Sequence, residues 1–238
     1  VGERQPGLSV VIPVYNEADC LESLVAEVSE AVSSLGYPWE LVLVDDGSDD
    51  DSPRRLAKVR GEQVRVVRLQ RNCGQSTAIL VGLRSSRYRF VATMDGDLQN
   101  DPRDLGRLLA RLEQADMVVG ARARRQDNLW RRAVSRLANR IRSRLTGDGI
   151  SDTGCSLKVM TGQVADSIMF FQGAHRFLPA LAQLEGFRVI EVPVSHRART
   201  VGTTKYGSWQ RLKATVPDLL GFLWLKSRYP HFQAQEMS

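Results

Sequence analysis

The chain has 238 residues, a length that accommodates one large α/β domain or two small ones. Its composition, 42% hydrophobic and 25% charged with a mean hydropathy of -0.26, excludes disordered, collagen-like and low-complexity proteins. A net charge of +6 and a pI near 9.5 call for an anionic partner: nucleic acid, a membrane surface or a phosphorylated substrate.

Leu8 to Val14 (LSVVIPV) is β-branched and apolar on both faces, the pattern of a buried parallel strand. Glu40 to Asp46, Val64 to Gln70, Arg89 to Asp95 and Met117 to Ala121 repeat it. Helical segments are predicted between them at Glu17 to Leu35, Ser52 to Arg60, Gln75 to Ser86 and Pro102 to Gln114. Strand and helix therefore alternate through the first half of the chain, which predicts an α/β fold with a mostly parallel, Rossmann-like sheet flanked by helices. A basic helix follows at Asn128 to Leu145, with Arg132, Arg136, Arg140 and Arg144 as one stripe and Trp130, Val134, Leu137, Ile141 and Leu145 as another. A turn region (Gly147 to Gly154), a helix (Ala174 to Leu184), a strand (Arg188 to Pro193), a polar loop (His196 to Gly207) and a last helix (Trp209 to Leu225) complete the chain. The expected organisation is one catalytic domain over 1–200 with an appendage over 201–238.

Cys20, Cys73 and Cys155 are far apart in sequence, with no CxxC pair and no nearby His, so neither a disulfide framework nor a structural zinc site is expected. The start, Val1-Gly2-Glu3-Arg4, has no charged-then-apolar leader, and no apolar run approaches the roughly 18 residues of a membrane span. The expected location is cytoplasmic, peripheral at a membrane face.

Parallel sheets bind ligands beyond the carboxyl ends of their strands. Three polar clusters fall at that edge: Tyr15-Asn16-Glu17, Asp45-Asp46-Gly47-Ser48 and Asp95-Gly96-Asp97-Leu98-Gln99. The DxD carboxylates with Gln99 put oxygen ligands around one point, as Mg2+ or Mn2+ requires. In a plainer reading Asp45 and Asp46 form a βα turn, Asp51 or Ser52 caps the next helix, and Asn16 caps the first. Neither GxGxxG after the first strand nor GxxxxGK[ST] occurs, so nucleotide binding would rely on side chains and a metal.

At these clusters the sequence resembles glycosyltransferase family 2, with its GT-A fold, and within it the polyprenyl-phosphate sugar transferases that include dolichol-phosphate mannosyltransferase. The carrying pieces run in family order: Val11 to Glu17, Val44 to Ser48, Arg71 to Gln75, Met94 to Pro102, Val119 to Arg122, Asp152 to Lys158 and Gly202 to Gly207. The resemblance implies that Pro13, Tyr15, Glu17, Asp45 and Asp46 hold the base and ribose of a nucleotide-sugar donor, with Gln75 beside them. It implies that Asp95, Asp97 and Gln99 hold the divalent metal. Arg122, with Arg131 and Ser135 on the basic helix, would hold the phosphate of a polyprenyl phosphate acceptor, with Lys205 in a loop and Arg197 and Arg199 as further cations. Asp152 is expected at the cleft as a sugar or acceptor ligand, or as a weak base.

The expected activity is inverting, metal-dependent hexosyl transfer in cell envelope glycan biosynthesis. The last helix, apolar at Leu219, Leu220, Phe222, Leu223, Trp224 and Leu225, is too short to span and is expected at the membrane interface. Alternatives are a family 2 enzyme with a non-lipid acceptor and a sugar nucleotidyltransferase. A nucleic-acid-binding module leaves the acidic strand ends unexplained, so no nucleic acid partner is expected.

Overall fold

The computed structural model describes residues 4–122, 142–197 and 208–230, and of 208–215 the backbone alone. Most of the predicted basic helix and the loop 198–207 lie outside the described residues, and with them Arg131, Ser135, Arg199 and Lys205.

The described residues form one seven-stranded sheet in the order β3-β2-β1-β4-β6-β5-β7. The strands are β1 Gln5–Val14, β2 Trp39–Asp45, β3 Val64–Arg68, β4 Tyr88–Thr93, β5 Met117–Arg122, β6 Lys158–Thr161 and β7 Val189–Val194. All pairings are parallel except those of β6, which runs antiparallel to β4 and β5. The helices are α1 Leu21–Ser33, α2 Ser52–Val59, α3 Gln75–Ser85, α4 Leu105–Leu109, α5 Gly162–Ser167, α6 Leu178–Leu184 and α7 Ser208–Arg228.

The alternation of β1 divides the core. Leu8, Val10, Ile12 and Val14 face a cluster that takes in Leu24 and Val28 of α1, Leu56 of α2 and Leu105 of α4. Val11 faces a second cluster, with Ala78, Ile79 and Leu83 of α3, Leu181 of α6 and Phe222 of α7. Both faces of the sheet are thus covered, which is why its central strands read as continuous apolar runs. A Cβ at Gly82 would fall 2.2 Å from Val11 Cγ1, so α3 rests directly on β1 there.

The chain moves outward from β1 to β2 to β3, then α3 carries it back to β4 on the other side of β1. This reversal opens a crevice between β1 and β4 at their carboxyl ends, the switch point where such sheets bind ligands.

The structure departs from the sequence reading in its details. The first helix begins at Leu21, after a 3₁₀ turn at Ala18–Cys20, and the helix expected over Pro102 to Gln114 is a 3₁₀ turn at Pro102–Asp104 followed by α4. Beyond Leu109 the hydrogen bonds tighten to i→i−3, from Arg111 to Leu108 and from Leu112 to Leu109. Strand β6 was not anticipated: four residues opening on a lysine carry no readable period. Residues 142–146 are helical as expected, but Arg142 is the inward residue, paired with Asp148 at 2.5 Å, while Leu145 is 44% exposed.

Candidate active site

Register brings the three polar clusters together. Val14 pairs with Asp45 across β1 and β2, and Val11 pairs with Thr93 across β1 and β4, so all three strands end at one edge. Asp46 N–H donates to Val14 O (2.8 Å) and Met94 N–H to Val11 O (3.2 Å), extending the ladders into the loops.

On the β1/β2 side the loops are cross-braced. Ser48 Oγ accepts from Asn16 N–H and Ser52 Oγ from Glu17 N–H, both at 3.0 Å. Asn16, at φ +54°, donates its amide to Asp49 Oδ1 (2.6 Å) and accepts from Asp49 N–H (3.1 Å). Neither Asn16 nor Ser52 caps a helix as the plainer sequence reading had it; both tie one loop to the other. Pro13, Tyr15 and Glu17 are half-buried along this rim.

Asp45 and Asp46 are buried. Asp46 accepts from Cys73 N–H (2.7 Å) and Gly74 N–H (2.9 Å), which fixes the loop ahead of α3. Burial pushes its carboxyl above the usual value, and those two donors pull it back. Gly47, at φ +68°, allows the approach: a Cβ there would lie 2.4 Å from the Arg71 carbonyl carbon. Asp45 Oδ1 accepts from Ser48 N–H (2.9 Å). Its Oδ2 has Arg68 Nε at 3.1 Å as an ion pair, yet no donor is aligned on it. It is a buried acceptor whose capacity no aligned donor fills.

The DxD loop follows β4. Asp95 N–H donates to Ser156 Oγ (3.1 Å), and Asp95 Oδ1 accepts from Gln75 Nε2 at the start of α3 (2.8 Å). Asp97 Oδ1 accepts from Gln99 N–H (3.2 Å), and Gln99 Nε2 donates to Arg197 O (3.3 Å). Leu98 between them holds φ +59°, a strained value for a residue with a side chain. Burial and then the neighbouring Asp97 raise the Asp95 carboxyl above its usual range. Two like charges gathered on an oxygen-only donor set fit a hard divalent cation, which would complete its shell with phosphate and water. No cluster of three or more His, Cys, Asp or Glu stands together among the described residues.

Across the crevice, Arg122 at the end of β5 meets Asp152: Nε to Oδ2 and Nη2 to Oδ1, each 2.7 Å. Lys158, buried in β6, donates to Cys155 O, and burial pulls its ammonium below the usual lysine value. Arg197 departs from its sequence reading as a phosphate ligand. Its guanidinium is taken by Glu27 (2.5 Å) and Asp101 (2.9 Å), while its N–H donates to Gln99 O (2.9 Å), so it fastens the DxD loop.

Of the expected site residues, Pro13, Tyr15, Glu17, Asp45, Asp46, Gln75, Asp95, Asp97 and Gln99 share one rim, with Arg122 and Asp152 paired on β5 and the turn before β6. Sequence reasoning missed the parts played by Ser156, Asn100, Ser76 and His175. Asn100 Nδ2 donates to Ser156 Oγ at 2.7 Å, so Ser156 serves two residues of the DxD loop. Its place in the Asp152 to Lys158 piece was the only available signal.

A doubly covered α/β sheet whose switch point carries two loop carboxylates and a buried acid is the architecture of the GT-A sugar transferases. The profile of Glycosyl transferase family 2 matches residues 9–168, and the chain belongs to that family and is a glycosyltransferase. It is 39% identical to the dodecaprenyl-phosphate galacturonate synthase of Rhizobium johnstonii over 94% of this chain and 70% of that protein. It is also 39% identical to an undecaprenyl-phosphate 4-deoxy-4-formamido-L-arabinose transferase of Klebsiella pneumoniae, over 90% of this chain and 66% of that protein. Among solved structures, glucosyl-3-phosphoglycerate synthase of Mycobacterium tuberculosis, crystallised with Mn2+, UDP and glucosyl-3-phosphoglycerate, superposes with a TM-score of 0.71 at 19% identity. That likeness covers 96% of this chain and 81% of the synthase, and confirms the fold.

Proposed function

We propose that this enzyme transfers a sugar from a UDP- or GDP-linked donor to the phosphate of a polyprenyl phosphate, inverting the anomeric carbon. The observation that carries the reading is that Asp45 and the Asp95 and Asp97 carboxylates come at the ends of neighbouring strands, at one switch point. The lipid acceptor is supported by two relatives, each named for a polyprenyl-phosphate substrate.

Asp45 accepts an N–H of the base, with Pro13, Tyr15 and Glu17 along the base and ribose, while Asp46 holds the loop that presents Gln75. Asp95, Asp97 and Gln99 would hold Mg2+ or Mn2+, which supplies a Lewis acid for the charge that grows on the departing diphosphate. A phosphate monoester has a second pKa near 6 and is already anionic at neutral pH, so no strong base is needed. Its oxygen forms a bond to the anomeric carbon as the bond from that carbon to the β-phosphate oxygen breaks, and the nucleoside diphosphate leaves with the electron pair. Arg122, oriented by Asp152, offsets the acceptor's charge together with Arg131, Ser135, Arg199 and Lys205.

The same reading assigns residues 1–200 to catalysis and 201–238 to an acceptor loop and an interfacial helix at the cytoplasmic membrane face. It is supported by α7. Phe222 stacks on Phe177 at 5.4 Å, while Val216, Leu220 and Trp224 on the opposite side are 49%, 62% and 66% exposed, with Lys226 and Arg228 following. No helix among the described residues is long and apolar enough to cross a membrane.

Calorimetric titration of UDP and GDP with and without Mn2+ tests the donor half. One nucleotide should bind at least tenfold more tightly with Mn2+, and Asp97→Ala should remove that gain. Binding indifferent to Mn2+ contradicts the reading.

A further inference from the structure

Directly after Gln75, Ser76 makes an arrangement that the proposed reaction does not use. Its Oγ lies 3.1 Å from Gly173 N and 3.4 Å from His175 N, accepting from both, and 2.7 Å from His175 Nδ1. A hydroxyl has two lone pairs and one hydrogen. With both lone pairs taken by backbone N–H groups, the hydrogen goes to Nδ1, so His175 is neutral and carries its proton on Nε2. Burial, with Arg176 and Lys158 nearby, pulls the ring down to about 3, which keeps it an acceptor at neutral pH.

The segment that holds the histidine is itself fixed. Arg176 pairs with Asp218 of α7 at 2.7 Å, and a Cβ at Gly173 would fall 2.2 Å from the Asp218 carboxylate. Gln172 Nε2 donates to Cys73 O at 2.6 Å, a second point of attachment ahead of α3. The first turn of α3 is therefore gripped from behind while its leading residue, Gln75, reaches forward to Asp95.

We propose that His175 is a positioning residue for the donor site: through Ser76 it sets the first turn of α3 and so holds Gln75 on the Asp95 carboxylate. This rests on the reading of Asp95 as a cation-binding group. Partners that orient a ligating carboxylate typically contribute about 10- to 100-fold in metal affinity, by preorganisation.

The test is Mn2+ binding to the whole chain in the presence of saturating UDP or GDP, measured for His175→Leu and His175→Asn in the wild-type and Gln75→Ala backgrounds. His175→Leu should weaken Mn2+ about tenfold in the wild-type background and by less than about twofold once Gln75 is gone. His175→Asn, whose Oδ1 can accept the Ser76 hydroxyl, should restore affinity to within about threefold and confirms that the site folds. Equal losses in both backgrounds, or no loss in either, overturn the proposal and leave the sugar-transfer reading standing. A wild-type chain that binds no Mn2+ with either nucleotide present overturns both.

Discussion

Arg122 and Asp152 close on each other through two parallel 2.7 Å hydrogen bonds, and the Arg122 N–H adds a third to Asp152 Oδ2 at 3.2 Å. Both side chains are largely buried, so this fork gives the end of β5 a guanidinium of fixed orientation.

Asp152→Asn keeps one acceptor but loses the charge and the fork. Turnover should fall at least about 100-fold with little change in nucleotide affinity, and stability should fall by about 2–4 kcal/mol because a largely buried cation loses its partner. Steady-state kinetics and urea unfolding check both. Undiminished turnover would remove Asp152 from the site.

Gly82→Val probes the fold without touching the rim. The new side chain would be driven into Val11 and Val44, and such overpacking costs about 1–3 kcal/mol or more. The expected result is a clear drop in Tm with the metal dependence of nucleotide binding retained in the folded fraction.

The pH dependence of stability follows from His175. Its folded pKa, about 3, lies below the value near 6.5 of a free imidazole, so the unfolded chain binds the proton more readily. Stability from the neutral ring is complete above pH 6.5 and is lost progressively as pH falls toward 3. The loss by pH 4 should be about 3 kcal/mol, and urea midpoints between pH 7 and 4 should be flatter for His175→Asn than for wild type.

The architecture was legible because β2, most of β1 and the second half of β4 are buried on both faces, so their apolar runs survive as a pattern, and the acidic residues that follow β2 and β4 mark the edge. What was not legible depends on contacts distant in sequence. Strand β6 is set by its partners Thr93 and Val119. Arg197 looked like a phosphate ligand because nothing local announces Glu27, 170 positions earlier, as its partner. Ser76 and His175 are 99 residues apart and carry no spacing signal.

The exposed stripe of α7 should bind lipid. Wild-type protein should float with anionic vesicles at low salt, and Leu220→Ser with Trp224→Ser should reduce flotation at least about fivefold, each apolar side chain withdrawn from the interface contributing about 1–2 kcal/mol. Equal flotation of the variant contradicts an interfacial role for this helix.

The most direct test of the central claim is transfer of radiolabel from UDP- and GDP-sugars into an organic-extractable product in the presence of polyprenyl phosphate and Mg2+ or Mn2+. The account predicts lipid-soluble label from at least one donor, abolished by EDTA and by Asp97→Ala. Metal-dependent donor consumption that leaves the organic phase unlabelled contradicts the lipid-phosphate acceptor.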